Sequence, residues 1–212
     1  MQTYNILIGC DQSYYDQWAM PLLSSIQYHN PWINLHCHIV NPTKDNTLES
    51  VDVTSEQIEF ASDESKISYL QSVRFLAVAN KFRKNELVLT LDADTICTRK
   101  IGKVATERLF EKQHVLKHHK EERWLAGFVV FNDNGFRQEY AKRLLNEPIE
   151  KWRWGRDQTI LNQLVKDFKF EPVDRLWMAI GKNRHNSAFL TLKGKQKTTE
   201  KYLNVYRNYL DA

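Results

Sequence analysis

One stretch constrains this chain more than any other: Glu86-Leu87-Val88-Leu89-Thr90-Leu91-Asp92-Ala93-Asp94-Thr95, an apolar run that ends abruptly in two carboxylates. Leu87 to Leu91 is short and apolar without clean alternation, which predicts a strand buried on both faces of a largely parallel sheet. In open α/β sheets ligands bind in the crevice beyond the carboxyl ends of the strands, and Asp92 and Asp94 leave such an end. If the segment stays extended, alternate residues point the same way and both carboxylates face one hard, oxygen-preferring cation. Taken alone, Asp-Ala-Asp also reads as a polar turn, and the surrounding chain has to decide.

A chain of 212 residues has room for one domain with a full core and a small appendage. Hydrophobic residues make up 42% and charged residues 26%, the balance of a folded chain rather than a disordered one. No apolar segment approaches the ~20 residues that span a bilayer. Met1-Gln2-Thr3-Tyr4-Asn5 does not open as a secretory leader, so the expected location is cytoplasmic. Cys10, Cys37 and Cys97 are scattered, unlike zinc or redox motifs, and are expected to be buried thiols at strand ends. The net charge of +4 is modest; its informative part is local, with Lys193, Lys195 and Lys197 in a polar stretch near the C-terminus. That stretch could attract phosphates, anionic lipid or nucleic acid, or simply be a solvated tail. The expected division is a domain over 1–190 and a basic tail or helix over 191–212.

Tyr4 to Cys10 predicts a first strand, and Asp11-Gln12-Ser13 leaves it at the same sheet edge as Asp92. Asp11 is therefore either a ligand contact or a helix cap. Pro21 suits the first turn of a helix that begins near Trp18 to Pro21 and runs to about His29. Residues 33–40 fit a second strand, whose His36 and His38 share a face and could be a metal pair or ordinary strand residues. Val51 to Val53 and Gln57 to Phe60 are short strand candidates.

Ser65 to Phe82 carries Ile67, Leu70, Val73, Leu76 and Ala77 at helical spacing, without Gly or Pro. Arg74 sits beside that stripe, as a surface cation or as a buried guanidinium whose fork reaches a carboxylate or phosphate. A helix is expected over 102–112. The charged stretch 113–123, with His114, His118 and His119, reads as an exposed segment ahead of a metal site. Trp124 to Asn132 predicts another apolar strand, in which Ala126-Gly127 admits a ligand or a second backbone closely. Phe136 to Leu145 should be helical, Asp157 could cap a helix starting Asp157-Gln158-Thr159-Ile160, and Phe168 to Phe170 is a late strand candidate.

The order of these pieces resembles the GT-A-fold nucleotide-sugar glycosyltransferases, most closely glycosyltransferase family 8, the glycogenin and lipopolysaccharide galactosyltransferase group. The likeness covers roughly residues 4–165 and implies one Rossmann-like mixed α/β sheet flanked by helices. It implies that Asp92 and Asp94 hold a divalent metal, Mn2+ or Mg2+, against the donor diphosphate, with Asp92 also near the ribose. It implies that Asp11 contacts the nucleoside, that Arg74 supports the donor or the Asp-Ala-Asp segment, and that Ala126 and Gly127 line the sugar. Asp157 and Gln158 match the pair beside the reacting sugar. Leu125 stands where the family commonly has asparagine, which removes a polar sugar contact. For the family's C-terminal metal histidine the nearest match is His185, in Gly181-Lys182-Asn183-Arg184-His185, where Lys182 could neutralise phosphate; the family's Lys-Pro-Trp is absent.

The function this implies is transfer of a hexose from a nucleotide-diphosphate sugar, UDP-sugar first, to a glycan, lipid-linked or other hydroxyl acceptor, with retained configuration. The alternative is a degenerate domain that binds carbohydrate or a partner. A sugar nucleotidyltransferase ranks below both, because Cys10-Asp11-Gln12-Ser13 lacks the Gly-rich basic loop of those enzymes. Nucleic acid is not an expected partner. The segment Thr198 to Leu210 gathers Tyr202, Tyr206 and Tyr209 with Leu203 and Leu210, and is read as packing on the domain, a homodimer face or a peripheral membrane helix.

Overall fold

The computed structural model describes residues 3–118, 122–180, 187–191 and 199–207. Its strands are β1 (Tyr4–Asp11), β2 (Asn34–Val40), β3 (Val51–Glu56), β4 (Leu87–Leu91), β5 (Thr95–Cys97), β6 (His114–His118), β7 (Arg123–Phe131), β8 (Glu171–Pro172), β9 (Met178–Ile180) and β10 (Phe189–Thr191). Seven of them form a mixed sheet in the order β3-β2-β1-β4-β7-β6-β8, and β5-β10-β9 form a second, small one. The first four of the large sheet run parallel; β7 is antiparallel to both β4 and β6. Asp92 thus leaves the sheet at the seam between a parallel and an antiparallel half, and Asp11 leaves the same edge one strand away.

All five residues of β4 are buried. Leu87, Leu89 and Leu91 join Ile6, Ile8 and Cys10 in an apolar layer that contains Leu22, Leu23 and Ile26 of α2 (Met20–His29). Val88 and Leu7 face the other layer, with α3 (Asp63–Lys81) and α5 (Asn134–Leu144). Burying side chains of this size is worth about 1.5–3 kcal/mol each, so a strand covered on both sides is held firmly.

Ser62 caps α3 in a reciprocal box with Ser65, satisfying donors that the first turn leaves open. Gly9 lets α3 lie against β1: a Cβ there would meet the Arg74 backbone nitrogen and Val73 Cγ1, each at 2.9 Å. This close approach sets the height at which Arg74 enters the sheet edge. Before α2, the chain is already helical in α1 (Gln12–Tyr14) and a π turn over Tyr15–Ala19, where Met20 N–H reaches Tyr15 O. Pro21 then falls in the first turn of α2, where a missing N–H costs least.

Several expectations need correction. Residues 114–118 are strand β6, not an exposed stretch: Val115 and Leu116 are buried between polar neighbours. Gln57 to Phe60 form no strand, and the late strand falls at Glu171–Pro172 rather than Phe168 to Phe170. Gly155 (φ 77°), not Asp157, caps α6 (Arg156–Leu164). His36 and His38 are strand residues: His36 meets Asn5 at 3.1 Å and Asp52 at 3.3 Å, and His38 meets Thr54 at 3.0 Å and Glu56 at 3.4 Å.

The three thiols are free and buried, Cys37 in mid-strand rather than at an end. The Cys10 thiol is held well above its usual range, first by a hydrogen bond with Cys37 and then by burial; burial pushes Cys97 up to about 12. A helix over Lys103–Phe110 is α4, and the C-terminal segment contains α7 (Glu200–Arg207), which lies alongside α2. Lys182, His185, His119, Tyr209, Leu210 and the three lysines at 193, 195 and 197 lie outside the described residues. Among the described residues, no helix is long and apolar enough to cross a membrane.

Candidate active site at the carboxyl end of β4

Asp92-Ala93-Asp94 is a turn rather than extended chain, closed by Thr95 N–H on Asp92 O at 3.1 Å. The alternation argument for the two carboxylates therefore does not apply; both are instead held in one tight loop between β4 and β5. Asp92 donates its N–H to Gly127 O at 3.2 Å, and its side chain lies over Gly127. A Cβ at Gly127 would come within 2.6 Å of Asp92 Oδ2, so the glycine makes the seat. Asp94 is 6% exposed, with the Thr191 hydroxyl of β10 at 3.4 Å from Oδ1.

Arg74 is buried, the second of the two roles its sequence left open. Its Nη2 lies 2.9 Å from Asp92 Oδ1, donates to Ala126 O at 3.0 Å and stands 3.6 Å from Asp157 Oδ2. Its guanidinium also covers the Phe75 ring, at 4.6 Å from the centroid. One cation thus ties together three segments far apart in sequence, in a setting dry enough for its charge to act strongly.

Asp157 stands in the first turn of α6 with Oδ1 accepting the Gln158 N–H at 2.7 Å. Burial raises its carboxyl to about 6; Arg74 and the Gln158 N–H oppose that rise, and the charge of Asp92 adds to it. Tyr140, fully buried on α5, donates its hydroxyl to Asp157 O at 2.8 Å and so fixes the start of α6. Gln158 Oε1 accepts the N–H of Ala126 at 3.0 Å.

The structure therefore brings Arg74, Asp92, Ala126, Gly127, Asp157 and Gln158 to one place, with Asp94 in the adjoining turn. Asp11 lies at the same edge, where its Oδ1 accepts Tyr14 N–H at 2.9 Å as a cap. Asp11 also lines a crevice of about 170 Å³ with Gln12, Asn41, Thr43, Phe60 and Lys66. Larger clefts lie elsewhere, among them two of about 570 and 620 Å³, around Trp154 and around Tyr4 and Phe110. Charge and burial, not cavity size, mark the site.

Tyr14 is a candidate site residue that the sequence reading missed. Its phenol is raised by burial first and then by the charges of Asp92 and Asp11, and the residue is 44% exposed. The signal available was an aromatic three residues after the acid that ends the first strand.

The fold and this edge define a class: the architecture is the GT-A fold of glycosyltransferases. The chain is similar to the bifunctional glycosyltransferase WbbM (14% identity, TM-score 0.67, covering 99% of this chain and 50% of WbbM). It is similar to the glycosyltransferase GlyE of Streptococcus pneumoniae TIGR4 (15% identity, TM-score 0.67, covering 99% and 60%). It is also similar to the galactosyltransferase LgtC in complex with donor and acceptor sugar analogues (13% identity, TM-score 0.64, covering 98% and 94%). The chain thus spans half of WbbM and 60% of GlyE. No protein-family profile matches the sequence, and no curated protein matches it as a relative.

Proposed function

We propose that the protein is a metal-dependent glycosyltransferase that moves a hexose from a nucleotide-diphosphate sugar, UDP-sugar foremost, to a hydroxyl acceptor with retention of configuration. The observation that carries this reading is the grouping of Asp92, seated on Gly127, and buried Asp157 about one Arg74 at the carboxyl edge of the sheet. It is supported by likeness to LgtC, a galactosyltransferase recorded with donor and acceptor sugar analogues.

The donor set suits a hard divalent ion. Asp92 and Asp94 offer oxygen only, and two carboxylates in one turn match an ion that completes its shell with phosphate oxygens and water. Among the described residues there is no cluster of three His, Cys, Asp or Glu side chains that would form a complete protein cage. Asp92 and Asp94 would hold Mn2+ or Mg2+, which offsets negative charge on a departing diphosphate; His185 is the candidate third ligand and Lys182 a candidate phosphate cation. Arg74 holds Asp92 in place through its contact at 2.9 Å. The nucleoside fits the crevice beside Asp11, with the exposed Tyr14 ring offering a flat face to the base. Ala126, Gly127, Asp157 and Gln158 line the sugar. In the reaction the anomeric C–O bond to the diphosphate breaks, the acceptor oxygen bonds to the anomeric carbon, and the acceptor's proton is released.

Leu125 favours a second reading. It is buried in the apolar layer with Leu91, Ala93 and Phe128 and offers the sugar nothing polar, as in a domain that binds glycan without turning over a donor. Hydrolysis of UDP-hexoses with and without manganese separates the two. Turnover should require the metal and fall at least about a hundredfold in Asp92→Asn and Asp94→Asn, the scale on which metal-assisted charge stabilisation acts. Unchanged turnover in those variants overturns the metal assignment.

A further inference from the structure

The pairing of β7 with its neighbours breaks beside the site. Val115 of β6 pairs with Val129, but the next residue, Leu116, pairs with Leu125, so Ala126, Gly127 and Phe128 have no partner in β6. On β4 the ladder reaches only Phe128, opposite Leu91. Breaks of this kind leave backbone donors and acceptors that must be satisfied by something else, and they recur next to active sites.

Here one backbone amide and two side chains do it. Gly127 O takes the Asp92 N–H, Ala126 O takes Arg74 and Ala126 N–H meets Gln158 Oε1. Asn162, one helical turn after Gln158 on α6, clasps Trp124, which pairs with Lys117 of β6 but lies beyond the end of the β4 ladder. Its Oδ1 accepts Trp124 N–H at 3.0 Å, and its Nδ2 donates to Trp124 O at 2.9 Å and to Gln158 O at 2.7 Å. A backbone N–H can only donate, so the faces of both amides are fixed by these contacts.

We propose that Asn162 is a positioning residue for the transfer site. Its amide stands in for a missing strand, holding Trp124 to Ala126 and the first turn of α6 in one register, so that Ala126, Gly127 and Gln158 keep a fixed geometry towards the sugar. The inference rests on the transferase reading, because it assigns Asn162 to the sugar half of that site. The nucleoside crevice at Asp11 is built on other elements, and Asp92, although its N–H bonds Gly127 O, is also held by Arg74 of α3 at 2.9 Å. Asn162 should therefore govern turnover and leave nucleotide binding alone.

The test uses Asn162→Ala and Asn162→Asp. The aspartate keeps the shape and the acceptor for Trp124 N–H but loses the two donors. On the UDP-hexose that the wild type hydrolyses fastest, kcat should fall about tenfold or more, the scale of one or two lost hydrogen bonds. UDP affinity with manganese should stay within about twofold. A folded variant with wild-type kcat, or one whose UDP affinity falls in step with kcat, overturns the proposal. The wild type decides the clamp even if neither variant folds: Trp124 and Ala126 amides should exchange hydrogen as slowly as those of paired strand residues, and exchange at loop rates overturns it. Absence of turnover in the wild type is a different result, which removes the transferase reading while amide exchange still judges the clamp.

Discussion

Gly127 has no side chain where Asp92 needs the space, and the two residues can be tested as one unit. In Gly127→Ala the new Cβ would lie 2.6 Å from Asp92 Oδ2, but that atom ends a side chain and can swing away. The stability cost should stay within ~1 kcal/mol, while Asp92 loses its place beside Arg74. Calorimetry of UDP with manganese is expected to show affinity reduced at least about tenfold at nearly unchanged melting temperature. Asp157 makes the opposite trade. Its carboxyl is raised from the model-compound 3.8 to about 6 by burial, so the folded state resists its ionisation. The sign follows: below pH ~4 the group is neutral folded or unfolded and costs nothing, and the penalty grows as pH rises to about 6. Asp157→Asn should therefore stabilise the metal-free protein at pH 7 by up to roughly 3 kcal/mol, with the gain fading towards pH 4 and turnover lost. Denaturant melts at pH 4, 5.5 and 7 check it; a gain that does not depend on pH contradicts the assignment.

Elements carry these residues, and α3 carries the most important one. Ser62→Ala removes one partner of the capping box twelve residues before Arg74 and should cost about 1 kcal/mol. For a chain this size that lowers the melting temperature by about 2–4 °C, and UDP affinity should not move. The pair of results, stability without binding at Ser62 and binding without stability at Gly127, separates support from site. Element by element, the sequence was legible where one physical signal dominated. The helical stripe of α3 and the unbroken apolar run of β4 are of that kind. Strand β6 was hidden because only Val115 and Leu116 turn inward while His114, Lys117 and His118 keep its composition polar. The cap of α6 was misplaced because an acid near a helix start is a familiar cap, whereas this acid is drawn inward by Arg74 and the dry site takes precedence over the local habit. Asp92 and Asp94 were recognisable as a pair, and a polar turn was one of the two readings of their segment; what the sequence did not show is the seat of Asp92, made by a glycine 35 residues later.

At the scale of the whole molecule, one sheet with apolar layers on both faces makes the protein melt as a unit, and its thiols can time that event. Cys10 and Cys37 lie inside the layer against α2, and Cys97 lies where Asn30 Nδ2 reaches its sulfur at 3.3 Å. Each is buried in the fold, and the thiols of Cys10 and Cys97 are held above their usual range, whereas an unfolded cysteine at pH 8 is exposed and partly thiolate. Alkylation of the native protein should accordingly advance in step for all three sites, at the rate of global opening, and slow together when UDP and manganese are added. Staggered labelling would reveal an independent subunit of folding. The chain thus carries three internal clocks, set by the same burial that built the strand beneath Asp92, with which ligand binding can be followed by mass spectrometry without any introduced label.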